Sequence, residues 1–303
     1  MLERGIRIGL ACLALLTAAT YAIAADSTPA TDWESGPNAD IPIADVHNHD
    51  AEGARYLSSM ALWDRFKVRK VVLFGKVSEP AAQDTDEISL QAAREHPDRI
   101  VPFIAGVDIR SKAGLKYVRQ QFAAGALGVG EIAGMSRYSP ALAHVPWKGE
   151  SLTDGLLPQL YALCAQYKRP VLLHIDPPTG GLEKVARSFP RTTFIFGHGN
   201  AYASPDLLEP VLRETRNVYI DFFAGFTAFN PDSDFTLEDY LPLIRAYPDR
   251  FLVGSDSGYG VGYENAYVAI RRLLNMLDRE TAEKIGYRNF ERLMAPARVP
   301  RVR

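Results

Sequence analysis

Cysteine is almost missing from this chain. Its 303 residues hold two, Cys12 and Cys164, and Cys12 lies in an N-terminal stretch that reads as removable. With one cysteine left, no internal disulfide can form, so the core must hold the fold without staples. An excess of either charge is missing as well: 34 Lys and Arg stand against 36 Asp and Glu. A field that balanced gives nucleic acid nothing to bind. The Gly-rich dinucleotide fingerprint is absent after the first apolar run of the folded part, which argues against a doubly wound nucleotide-binding sheet. What is present is apolar: 47% of the residues, with 14 Tyr and 14 Phe, enough to bury a large core.

The first 24 residues differ from the rest. Glu3, Arg4 and Arg7 precede the apolar run "IGLACLALLTAATYAIA" (8–24), which closes on a small-x-small ending. This pattern is expected to be a signal peptide cleaved near Ala24. An uncleaved anchor is the rival, but the Ala/Thr-rich run is marginal for spanning lipid. Gly9 and the apolar run beyond Cys12 fit a lipoprotein signal poorly. Export without disulfides suits a bacterial periplasm or the medium, with no membrane attachment after cleavage. Residues 25–40, polar, Pro-containing and aperiodic, are expected to be a flexible leader.

From residue 41 a rhythm begins. Apolar runs recur at "IPIADV" (41–46), "KVVLFG" (70–75), "IVPFIAG" (100–106), "ALGVGE" (126–131), "PVLLHI" (170–175), "TFIFGH" (193–198), "NVYIDF" (217–222) and "FLVGSD" (251–256). They are near-continuous, as strands buried on both faces must be. Helical patterns such as 153–168 and 266–277 lie between them. Eight strand and helix alternations over residues 41–303 predict a (β/α)8 TIM barrel. Two connections, 132–151 and 223–235, are long and follow strand C-termini, where barrels keep their chemistry. They are expected to wall a substrate pocket, with "SGYGVG" (257–262) as a mobile rim.

The polar residues fall at the same structural level. Strand one ends in His47 and His49, strand four in Glu131, strand five in His174, strand six in His198 and strand eight in Asp256. Any one of these histidines reads equally well as a satisfied core residue. Together, without partners, they would be costly to desolvate. Divalent cations remove that cost: imidazole and carboxylate suit zinc, with manganese or iron as alternatives, and no cysteine ligand is offered. His47, His49 and Asp256 are expected to take one ion, His174 and His198 a second, with Glu131 bridging. Asp256 is placed to accept a proton from a metal-activated water. In the long loop, Arg137, Tyr138, His144 and Lys148 are candidates to grip an anionic small-molecule substrate. Asn200 and Asp176 are candidates to orient ligands.

These residues carry a resemblance. "DVHNH", "GALGVGE", "PVLLH", "FGHGN" and "GSD" make the chain similar to the amidohydrolase superfamily, and most like its amidohydrolase-related (amidohydrolase 2) group of metal-dependent TIM-barrel hydrolases. The resemblance covers residues 41–295 and implies fold and metal use without naming a substrate, because the group includes lactonases, esterases, amidases, decarboxylases and hydratases. One departure stands out: many two-metal relatives carry a carboxylated lysine at strand four, where this chain has Glu131. The expected activity is an exported, metal-dependent hydrolysis of a small ester, lactone or amide. The alternative is a one-metal lyase held by His47, His49, His174 and Asp256, with Glu131 turned outward and His198 as catalytic acid/base. The number of ions and any homo-oligomer are left open.

Overall fold

A computed structural model describes residues 32–176, 179, 181–201 and 203–295. Its centre is a closed barrel of eight parallel strands in chain order: β1 (Ile43–Asn48), β2 (Val68–Leu73), β3 (Ile100–Ile104), β4 (Gly128–Met135), β5 (Val171–Ile175), β6 (Phe194–Phe196), β7 (Val218–Phe222) and β8 (Phe251–Val253). Parallel strands need a crossover each, and helices packed outside the barrel supply it. Around the ring run α1 (Tyr56–Arg65), α2 (Ala82–Glu95), α3 (Lys112–Ala124), α4 (Leu157–Tyr167), α5 (Leu182–Ser188), α6 (Pro205–Glu214), α7 (Ala224–Phe229), α8 (Leu237–Ala246) and α9 (Tyr263–Asn275). Local chemistry sets their ends. The Ser111 hydroxyl accepts the Ala113 amide at the start of α3, and Gly125 closes that helix at φ 115°. Thr236 and Asp239 form a reciprocal box at the start of α8. The (β/α)8 expectation therefore holds.

One buried apolar cluster takes side chains from every strand, among them Val46, Val72, Phe103, Ala133, Leu172, Ile195 and Leu252, with Tyr219 of β7 packed against it. This fills the barrel, so the polar residues are held at the strands' C-terminal ends. There the ladder is irregular. The pairing of β1 with β2 slips between Asp45 and Asn48, and that of β4 with β5 between Val129 and Ile132. His47 and Glu131 sit inside those slips, and such irregularities re-aim side chains. In a regular strand, alternation alone would place His47 and His49 on one face. Their convergence instead comes from an irregular strand end, with His49 just beyond β1.

The leader needs correction. Residues 1–31 lie outside the described residues, and with them the expected signal peptide, but 32–40 pack onto the barrel domain. Trp33 is 4% exposed and stacks on Phe66 at 4.9 Å. Asn38 donates to the carbonyls of Leu274 and Leu277 at 2.7 and 2.8 Å, and Asn275 donates to that of Trp33. A segment without periodicity carries no sequence signal for docking, yet one buried indole and a few amide bonds suffice to fix it. The long connections also differ from expectation. Residues 132–135 extend β4, and 224–229 are helical (α7).

Candidate metal centre

His47 is fully buried, and its Nδ1 lies 2.7 Å from Asp221 Oδ2. A carboxylate only accepts, so Nδ1 carries the proton and Nε2 presents a lone pair. His49 repeats the arrangement: Nδ1 donates to the Gly75 carbonyl at 2.8 Å, again leaving Nε2 bare. The two Nε2 atoms stand 3.1 Å apart. With both rings neutral the two lone pairs cannot satisfy each other, so a proton or a cation must lie between them. In the second pair one tautomer is fixed: His174 Nε2 donates to Asp176 Oδ1 at 2.9 Å, so its bare Nδ1 faces His198 Nε2 at 3.0 Å, a nitrogen that also lies 3.0 Å from Glu131 Oε1.

Glu131 lies between the pairs, 4% exposed. Its Oε1 is 3.0 Å from His198 Nε2, 3.5 Å from His174 Nδ1 and 3.8 Å from His47 Nε2, while Oε2 is 3.8 Å from His49 Nε2. Asp256 Oδ1 completes the first pair, 3.5 and 3.4 Å from the Nε2 atoms of His47 and His49. Two groups of ligand atoms, His47/His49/Glu131 and Glu131/His174/His198, each fall within 4.8 Å. All six residues named from the sequence are thus brought together. Converging lone pairs of nitrogen and oxygen fit a divalent cation, which would satisfy them all at once.

The charge balance points the same way. Burial disfavours protonation of His47, but the carboxylates of Asp256, Glu131 and Asp221 outweigh it and push its pKa up to about 10. For His174 burial is likewise overcome by Asp176 and Glu131, giving about 9. Burial acts to raise the pKa of Glu131 and of Asp256, yet the surrounding imidazoles hold both carboxyls below their usual range. The pocket floor is a place that draws positive charge, whether as protons or as metal.

Above the floor opens a cavity of about 750 Å³. His49, Glu131, His174, His198 and Asp256 line it, and Tyr138 stands in its wall. Arg137 and His144 do not. Arg137 is exposed and its Nε donates to the Glu150 carbonyl at 2.7 Å, away from the pocket, and His144 is exposed on the same loop. Lys148 reaches the Ala143 carbonyl instead. None of these three lines the cavity, because the loop folds back on itself. Its Asp176 anchor takes the amides of Arg137 and Tyr138, which turns Tyr138 toward the cavity.

The sequence matches the profile of one family, described as amidohydrolase, over residues 33–294. The chain belongs to the amidohydrolase family. Among curated proteins there is no match. Solved structures of the same barrel include a dihydroxybenzoic acid decarboxylase from Polaromonas with bound manganese, at 14% identity and a TM-score of 0.59, covering 86% of this chain and 98% of that one. A probable 2-pyrone-4,6-dicarboxylic acid hydrolase from Acinetobacter baumannii aligns at 16% identity and 0.58, covering 84% and 100%. A 4-oxalomesaconate hydratase from Rhodopseudomonas palustris aligns at 14% and 0.53, covering 81% and 82%. At such identities the likeness is one of fold.

In this amidohydrolase, sequence reasoning missed Asp221, at the end of β7. Besides orienting His47, its Oδ2 accepts the His198 amide at 2.9 Å, fixing the backbone where His198 takes φ 38°. A lone carboxylate in the apolar run "NVYIDF" was the available signal. Gly254 makes room for it: a Cβ there would stand 2.2 Å from Asp221 Oδ1 and 2.7 Å from His47 Cβ. Asp45, assigned no function from sequence, ties β1 to the turn before Asp256, accepting from the Ser255 amide and hydroxyl at 2.9 and 2.7 Å and from the Tyr267 hydroxyl at 2.7 Å. Asn200 holds the chain after β7 through Phe223 and Thr227, so it positions pocket wall and not ligands.

Proposed function

We propose that this protein is an exported, metal-dependent hydrolase of a small ester, lactone or amide. The observation that carries the reading is the inward position of Glu131 between two imidazole pairs, which supports a two-ion centre: His47, His49 and Asp256 on one side, His174 and His198 on the other. Zinc is the favoured ion, with manganese or iron as alternatives for this donor set. When bound, such ions polarise a carbonyl and lower the pKa of a water molecule.

The chain's own residues do the rest. Asp256, its carboxyl held ionised by His47 and His49, accepts the proton of the attacking water on its carboxylate and returns it to the leaving group. Asp221 and Asp176 keep the imidazoles of His47 and His174 in the tautomer that points a lone pair inward. The one-metal lyase calls for Glu131 turned outward, so its inward position, 3.0 Å from His198 Nε2, supports the two-ion reading over the lyase. The export reading is carried by the sequence of residues 1–24 and is tested by N-terminal sequencing of the mature protein, expected to begin just after Ala24.

The deciding experiment is elemental analysis of protein purified without added metal, followed by assay on a panel of esters, lactones and amides. Two equivalents per chain are expected, falling to one or fewer in Glu131→Ala. Asp256→Asn is expected to lose at least about a hundredfold in kcat, the usual size of a lost acid/base group. Full activity in that variant refutes its role as base. One equivalent per chain, unchanged in Glu131→Ala, returns the choice to the lyase with His198 as acid/base.

A further inference from the structure

The cavity is charged at its floor and apolar above it. Phe196, Phe223 and Phe226, with Ala201 and Ala203, form its wall at the end of β6 and on the segments that follow β6 and β7. This wall has rigid support: Phe223, Phe226 and Ala266 make a buried cluster of their own, with Ala201 and Val261 packed against it. At the mouth stand Tyr138 and Tyr259, 71% and 59% exposed, on the segments after β4 and β8. Those strands lie on opposite sides of an eight-stranded ring. Exposed aromatic side chains gathered at a concave site mark a surface that receives an apolar group.

The charges beyond the floor cancel. Among the described residues the wall holds two cations, Arg55 and Lys76, against the carboxylates of Glu52 and Asp176. Both cations are already engaged. Arg55 bonds Glu52 at 3.1 Å and reaches Asp50 at 3.5 Å, and Lys76 pairs with Glu79 at 3.3 Å. Arg137, the cation that the sequence offered as an anion anchor, faces the other way.

We infer that the substrate is neutral away from its reacting carbonyl and carries an apolar arm about the size of an aromatic ring, held between Tyr138 and Tyr259 over the Phe196, Phe223 and Phe226 wall. A dicarboxylic or other polyanionic substrate would find no free cation above the floor among the described residues. The inference rests on the metal-centre reading and adds the substrate class to it.

Two hydroxamic acids test it, since both share the metal-seeking group and differ in the arm. Binding of phenylacetohydroxamic acid and of succinic monohydroxamic acid to the metal-loaded protein is measured by calorimetry. The phenyl probe is expected to bind at least about tenfold more tightly. Tyr138→Ala combined with Tyr259→Ala, both exposed positions that the fold tolerates, is expected to weaken the phenyl probe about fivefold or more and leave the carboxylate probe unchanged. Equal affinities, a preference for the carboxylate, a phenyl preference untouched by the double substitution, or no binding of either probe each overturn the inference. Turnover is not read, so a panel that shows no hydrolysis strikes the hydrolase reading alone.

Discussion

Asp221 accepts the Nδ1 proton of His47 at 2.7 Å and thereby decides which nitrogen of that ring faces the cavity. Removing the acceptor frees the ring to choose the other tautomer. Asp221→Ala is expected to weaken metal binding about 10–100-fold, the range for a lost ligand-orienting partner. Asp221→Asn, which keeps an accepting oxygen, is expected to lose less. Competition with a chelator measures both, and undiminished affinity in the alanine variant contradicts the orienting role.

Gly254 has no tolerance for a side chain on the Asp221 side. Gly254→Ala is expected to cost about 1–3 kcal/mol by overpacking, because its Cβ would press on Asp221 and His47. The same displacement is expected to reduce metal affinity. A denaturant midpoint equal to that of the parent protein contradicts the close packing.

The metal-free protein is expected to lose stability as pH rises. The pKa values of His47 and His174 are raised in the fold, from 6.5 to about 10 and about 9. A raised group gives its full stabilisation below the unfolded value and loses it as pH climbs through the folded one. Asp176 works in the opposite direction: lowered from 3.8 to about 2, it stabilises above 3.8 and is lost on acidification. Stability without metal is therefore greatest between about pH 4 and 6.5 and declines toward pH 9–10, a fall in Tm of several degrees for a domain this size. Metal affinity is expected to rise over the same interval, since protons must leave the imidazoles before the ion can enter. Thermal melts across pH, with and without metal, check both; a metal-free Tm that climbs from pH 6.5 to 9 reverses the sign and rejects the assignment.

Trp33 makes a plain test of the N-terminal segment. If residues 32–40 are part of the fold, Trp33→Ala is expected to destabilise it by about 3–5 kcal/mol, as for other buried tryptophans. A chain trimmed to begin at residue 41 is expected to lose at least as much. An unchanged denaturation midpoint in either protein would return this segment to the status of a free leader.

The sequence by itself determined the barrel and the candidate ligand set. Eight near-continuous apolar runs can be buried on both faces only in a parallel sheet covered by helices, and the C-terminal ends of five of them carry His47, His49, Glu131, His174, His198 and Asp256. Periodicity and strand position are local properties, and local properties can be read along a chain. Three things were decided only in the tertiary structure. The role of Asp221 depends on β7 meeting β1 across the barrel, a contact between residues 174 positions apart. The direction of Arg137 depends on how its loop folds back on Glu150, which no period encodes. The docking of residues 32–40 depends on a groove offered by α9 and the end of α1, since a segment with one apolar anchor has no pattern of its own. Ligand types are written in the chain; their second partners and the walls around them come from elements that meet only when the barrel closes.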